Sequence, residues 1–381
     1  MPCARPSSRG GADLRQPGEY ALTRPATAPP PFDGELRSLQ FLRFAAALMV
    51  VLYHAGIAAR EHGFLGPAQA DWLRLSEIGK GGVHVFFVIS GFIMVYATRR
   101  SERDWHAAGR FLLRRVTRIY PIYWFYCGLY LASHATILHP YAITPWDGLK
   151  ALLLWPGYSA QIIGPGWTLS YEVYFYLCFA VCLPLGARIS LNVLSGLILS
   201  AVGAGFLIGK GEASLEVLTG TLLLEFLAGV WTAVLVMRAR PLPTLLAPIA
   251  IAFAIAGFLA PAVLGFPALP TVILWGVPSV ALVLGMTLQE RQGRVPHLVA
   301  RLSPLGDGSY SLYLLHNLVL DLVFVGLLAV GAGDRHGWAW TALAALVCCV
   351  ASGYAYRFVE APLLVGLVRL RRRPPVTAAT G

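Results

Sequence analysis

Runs of about 20 apolar residues follow one another along this chain, and each has the length that a membrane-spanning helix needs. They fall at roughly 41–59, 82–98, 117–137, 167–186, 191–209, 214–236, 244–264, 270–288, 307–331 and 338–357. The expected fold is an all-α polytopic integral membrane protein with about ten transmembrane helices. Composition agrees. The chain is 57% hydrophobic and only 13% charged, where a soluble domain carries about 25% charged residues.

Charge sets the orientation. The net charge of +11 does not point to nucleic acid, because the basic residues concentrate between the apolar runs. The segment 99–118 carries Arg99, Arg100, Arg103, Arg110, Arg114, Arg115 and Arg118 against Glu102 and Asp104. Arg188, then Arg238 and Arg240, then Arg291, Arg294 and Arg301 fall in every second loop. With ten spans, these loops, the N-terminus and the Arg369–Arg373 cluster share one side, which the positive-inside rule assigns to the cytoplasm. Residues 1–36, rich in Pro, Ala, Arg and Gly, have no apolar h-region and read as a disordered cytoplasmic tail without a cleavable signal. Residues 37–363 form the membrane domain, and 364–381 a basic cytoplasmic tail. The six cysteines show no zinc or disulfide spacing, and packing in the membrane core is their expected use.

One segment interrupts the rhythm. Residues 138–166 contain Pro140, Pro145, Pro156 and Pro165 around a short apolar piece, Leu149–Trp155. That piece is too short to span. It reads as an interfacial or re-entrant helix on the extracytoplasmic side, and irregular backbone at such depth is tolerated where it lines a polar cavity.

Arg43 and His54 lie in the first run, eleven residues apart. That is about three helical turns, so both share a face, about 16 Å apart along the axis. Ionisable groups inside a span are costly and mark function by default. The span order puts Arg43 near the inner end and His54 in the outer half. Span four enters from outside at Trp167, which puts Glu172 at a depth similar to that of His54. A carboxylate beside a histidine fixes its tautomer and supports general-base work. The plainer alternative is a buried His and Glu that only tie helices together.

Arg115 and Arg118 are three apart and share a helix face. Their forks suit phosphate, although a positive-inside flank has the same spacing. Ser90 and Gly91 sit mid-span, where small residues either let helices approach or line a site. Glu225, His316 and Asp321 are further ionisable groups inside spans six and nine.

With these motifs in view, the chain resembles the acyltransferase-3 family of polytopic membrane acyltransferases from about residue 37 to 363. The resemblance rests on Arg43…His54, Val85-Phe-Phe-Val-Ile-Ser-Gly-Phe92, Arg114-Arg-Val-Thr-Arg-Ile-Tyr-Pro-Ile-Tyr-Trp124 and Gly166-Trp-Thr-Leu-Ser-Tyr-Glu172. It continues through Glu225-Phe-Leu-Ala-Gly229, Gly308-Ser-Tyr-Ser-Leu-Tyr-Leu-Leu-His316 and Arg357-Phe-Val-Glu-Ala-Pro362. The form of the fourth motif is most similar to the branch that acylates exopolysaccharides. One departure is visible. Many members have an acidic residue after the Gly-Gly-Val of span two, where this chain has His84.

The resemblance implies O-acylation of a carbohydrate, lipid-linked or growing at the cell surface, from a cytoplasmic acyl-CoA such as acetyl-CoA. It implies no permanently bound cofactor and no metal. His54 is the expected general base, oriented by Glu172. Arg115 and Arg118 are expected to hold CoA phosphates, and Arg43 to contact CoA or the thioester oxygen. Ser90, Trp167, Tyr171, Glu225, Ser309, Tyr310 and His316 are the further candidates for substrate contact. The rival reading is a proton-coupled or glycan-lipid transporter in the cell membrane. Transporters commonly show inverted repeats, and none is evident here.

Overall fold

The computed structural model describes residues 34–66, 70–138, 142–209, 211–238 and 242–372, and among them every regular element is helical. The expected N-terminal tail up to residue 33 and the last part of the C-terminal tail, 373–381, lie outside the described residues. The long helices are α1 (Arg37–Glu61), α2 (Gly81–Thr98), α3 (Trp105–Thr136), α4 (Trp167–Cys182), α5 (Ala187–Ile208), α6 (Leu223–Val236), α7 (Leu246–Leu264), α8 (Val277–Arg291), α9 (Ser309–Ala329) and α10 (Gly337–Ala355). A π-helical turn, Tyr356–Glu360, leads into α11 (Ala361–Arg372), so helix continues into the segment expected as a basic tail.

Nine helical stretches among the described residues are long and apolar enough to cross a membrane. Side chains such as Leu207 and Leu264 on their outer surfaces are more than four-fifths exposed, as lipid-facing positions must be. The expected third span lies within α3, which carries Tyr120, Tyr123, Tyr126 and Tyr130 and is less apolar than those nine. At 32 residues this helix is about 48 Å long. Its first half is the basic segment expected as a loop. Asp104 caps it by accepting from Ala107 N at 2.6 Å.

Two contacts fix the frame at the Arg37 end of α1, hereafter the basic end. Glu290, near the end of α8, accepts from the backbone N–H groups of Arg37 (2.8 Å) and Ser38 (2.9 Å) and so caps α1 from another helix. Its neighbour Arg291 donates to the carbonyls of Val236 and Arg238, where α6 runs out. Deeper in, α2 and α6 touch through their backbones. A Cβ on Gly91 would lie 1.9 Å from the Phe226 carbonyl oxygen, and one on Gly229 would lie 2.0 Å from that of Val88. Only glycine permits this approach.

The interruption after α3 is re-entrant. Thr144 caps a short helix, Pro145–Leu152, whose last residues come back to α3. Tyr123 donates to the Ala151 carbonyl (2.9 Å), Trp124 to Leu152 (2.9 Å) and Tyr120 to Leu153 (3.0 Å). The aromatic stretch of α3 thereby satisfies three successive carbonyls where this helix ends. Tyr123 is thirteen residues before the end of α3, so the chain has returned about 20 Å along it. Consequently α4 begins deep in the bundle. Thr168, in its first turn, bonds Tyr313 in the second turn of α9 (2.9 Å).

Candidate active site

The basic half of the bundle encloses a cleft of about 810 Å³, part of it open to solvent. Three guanidiniums reach it: Arg43 from α1, and Arg115 and Arg118 from α3. Arg43 donates to Gln40 Oε1 at 2.9 Å. Gln40 in turn donates to Asp307 Oδ1 (2.8 Å) and to Glu35, so a polar chain steers the guanidinium. Arg115 lies over the rings of Tyr176 (5.3 Å) and Phe111 (5.5 Å), which holds a planar cation without pairing it away. Arg118 is exposed at the mouth.

One carboxylate shares the cleft. Glu172 Oε1 accepts from Ser90 Oγ at 3.1 Å and from the Tyr176 hydroxyl. Buried Glu360 accepts from Ser311 Oγ at 2.5 Å, and Tyr126 donates to that serine at 2.8 Å. The charges acting on Arg43 are Arg118 on one side and Glu360, Glu172 and Asp307 on the other. Beyond the charged mouth the wall is apolar, with Val83, Phe86, Phe87 and Leu169. Ser309 Oγ lines the cleft, is buried and has no hydrogen-bond partner among the described residues.

The far wall leads to a pair of histidines. Tyr313 packs on Phe86 (5.5 Å between rings) and on His316 (6.0 Å), and its hydroxyl is held by Thr168. His316 stacks at a tilt on His54 with 4.8 Å between rings, and its Nε2 lies 3.3 Å from His54 Nδ1. Tyr313 and Thr168 thus stand between the arginine cleft and the histidine pair.

The acyltransferase-3 profile, an acyltransferase domain, matches residues 36–357. The chain belongs to that family and is an acyltransferase. It is 33% identical over 300 residues to the exopolysaccharide production protein ExoZ of Rhizobium meliloti, covering 75% of this chain and 90% of the relative. It is 28% identical over 389 residues to the acyltransferase MdmB of Streptomyces mycarofaciens, covering 92% of this chain and 96% of that one. No solved structure matches it significantly.

The acyltransferase gathers Arg43, Ser90, Arg115, Arg118, Glu172, Ser309 and Tyr310 around one cleft. Other expected residues lie elsewhere. Trp167 and Tyr171 pack on Phe87 outside the cleft lining, and the Tyr171 hydroxyl donates to the Glu216 carbonyl. Glu225 is buried against His84 Nδ1 at 2.5 Å. The histidine that replaces an acidic residue in span two therefore has an acidic partner from α6.

The expected pairing of His54 with Glu172 is not formed. Glu172 bonds Ser90 and Tyr176, and His54 bonds Val50 O and His316. The reason is the deep start of α4. Glu172 lies one turn from Thr168 toward the basic end, and His316 lies one turn from Tyr313 in the other direction. Those steps separate the carboxylate from the histidines by roughly 10 Å in depth. The sequence reading assigned no role to Gln40, Asp307 or Glu360. A lone Glu360 before Ala361-Pro362, in a run otherwise apolar apart from Arg357, was the available signal.

Proposed function

We propose that this acyltransferase moves an acetyl or other short acyl group from acyl-CoA to a sugar hydroxyl of a surface polysaccharide or exopolysaccharide. The observation that carries the donor half is the convergence of Arg43, Arg115 and Arg118 on one cleft with an apolar inner wall. Guanidinium forks suit the phosphates of CoA, and the wall of Val83, Phe86 and Phe87 suits a pantetheine arm and a short acyl chain. The acceptor half rests on the name of the relative ExoZ. In this reading the termini and the cleft mouth face the cytoplasm of a cell membrane and the acceptor is a free or lipid-linked glycan, and the basic residues of every second loop support that orientation.

In the reaction, the thioester reaches past Tyr313 and Thr168 from the cleft, and His54 Nε2 takes the proton of the acceptor hydroxyl as its oxygen attacks the thioester carbonyl. The carbon–sulfur bond breaks, and the departing thiolate recovers the proton from His54. The products are the O-acyl sugar and CoA–SH. No metal or prosthetic group is required. The test is purified protein incubated with acetyl-CoA and polysaccharide, with free thiol and glycan mass both followed. Thiol release matched by acetyl gain on the glycan is expected. Thiol release without glycan acylation would remove the acceptor, and no thiol release from any acyl-CoA would remove the donor.

A further inference from the structure

The two histidines carry more information than their proximity. His54 Nδ1 lies 2.9 Å from the Val50 carbonyl oxygen, and His316 Nδ1 lies 2.7 Å from that of Tyr313. A carbonyl can only accept, so each neutral ring carries its hydrogen on Nδ1. His316 Nε2 then carries a lone pair 3.3 Å from His54 Nδ1, whose single hydrogen it shares with the nearer Val50 carbonyl oxygen. The arrangement that satisfies both carbonyls makes His54 the donor and His316 the acceptor. It leaves His54 Nε2 unprotonated and without a hydrogen-bond partner among the described residues. His316 is buried on α9, and its own carbonyl receives the Cys348 thiol at 3.6 Å.

We infer that His316 is the positioning residue for His54, filling with a neutral imidazole the place where a carboxylate was expected. The Val50 carbonyl sets the tautomer of His54, and the His316 lone pair adds a second acceptor that fixes the ring's orientation and continues to accept the Nδ1–H when His54 becomes imidazolium. A neutral acceptor fits this depth. Tyr53 and Tyr313 are the aromatic neighbours of the pair, and Glu61, seven residues on along α1, is the carboxylate whose field reaches His54. While His54 is neutral, a carboxylate in the place of His316 would be a buried charge with no cation bonded to the pair among the described residues. The inference rests on the reading of His54 as base.

Three variants test it against acetyl-CoA and the acceptor. His316→Leu removes the lone pair and keeps the bulk. It should lower kcat by about 10- to 100-fold, the scale of a misaligned catalytic group, and leave the KM for acetyl-CoA within about twofold. His316→Gln offers an amide oxygen at similar reach and should recover most of the loss, whereas His316→Asn is too short and should not. If His316→Leu fails to insert, the Gln and Asn pair alone decides, since both are polar and differ in reach. Equal activity of Gln and Asn, or a His316→Leu enzyme within about threefold of wild type, would overturn the role of His316. His54→Ala separates this from the underlying reading. An inactive His54→Ala beside an active His316→Leu removes only the positioning role, and an active His54→Ala removes both.

Discussion

Ser90 Oγ donates to Glu172 Oε1 at 3.1 Å across the arginine cleft, joining α2 to α4. The carboxylate sits among Arg43, Arg115 and Arg118 on the cleft lining. Three cations facing one space would repel one another, and Glu172 offsets part of that repulsion when the cleft is empty. A donor with several phosphate charges would displace its influence rather than depend on it. Glu172→Gln keeps the shape and removes the charge. The KM for acyl-CoA should fall about two- to fivefold, on the scale of one partly screened charge contact, and the pH–rate profile should keep its form. A lost or displaced base limb would return Glu172 to the side of His54.

Arg115→Ala and Arg118→Ala should each raise the KM for acyl-CoA more than they lower kcat, because they hold groups that do not react. Arg115 also packs its guanidinium on Tyr176 and Phe111, so its loss should be the more severe of the two. Lysine should rescue only partly at either site, since a point charge lacks the bidentate fork. Initial-rate kinetics over a range of acyl-CoA concentrations decide this. Normal KM values in correctly inserted alanine variants would leave the pair as a topology signal alone.

The spans were legible because lipid imposes length and apolarity on each one separately. Helix α5, Ala187–Ile208, differs from the expected 191–209 by a turn at most. Where a helix begins in depth was not legible. The return of residues 151–153 to the middle of α3 depends on Tyr120, Tyr123 and Trp124 meeting carbonyls some thirty residues away, and no local pattern encodes that. Hence residues that sequence order placed level, His54 and Glu172, are about two turns apart. Ser90 and Gly91 show the opposite case. The sequence left open whether this pair packs or lines a site, and the structure uses one residue for each purpose.

The cap that Glu290 places on α1 should be measurable. Its carboxylate accepts from two backbone N–H groups that α1 cannot satisfy itself. Glu290→Ala should cost about 0.5–2 kcal/mol, read as a lower Tm in detergent. Glu290→Gln retains one acceptor oxygen and should lie between the alanine variant and wild type. An unchanged Tm for the alanine variant would show that water caps α1 equally well. Because Arg43 lies on the second turn of α1, a frayed start should also weaken acyl-CoA binding.

Gly91→Ala gives the sharpest test of the packing that places the cleft. Its added methyl would meet the Phe226 carbonyl oxygen at 1.9 Å, and backbone of a packed helix cannot yield as a side-chain tip can. Overpacking of this kind costs about 1–3 kcal/mol where the structure relaxes, and here relaxation means moving α2 away from α6. That motion would carry Ser90 with it and pull on Glu172. Gly128→Ala on α3 is the control, because nothing lies within 4 Å of the Cβ it would acquire. There alanine should be neutral or stabilising by up to about 1 kcal/mol, the helix-propensity difference. Yield of monodisperse protein, Tm in detergent and acyl-CoA kinetics should all worsen for Gly91→Ala and hold for Gly128→Ala. Equal behaviour of the two variants would mean that α2 and α6 are less closely joined than their glycines imply, and that the cleft can tolerate a shift of its α2 wall.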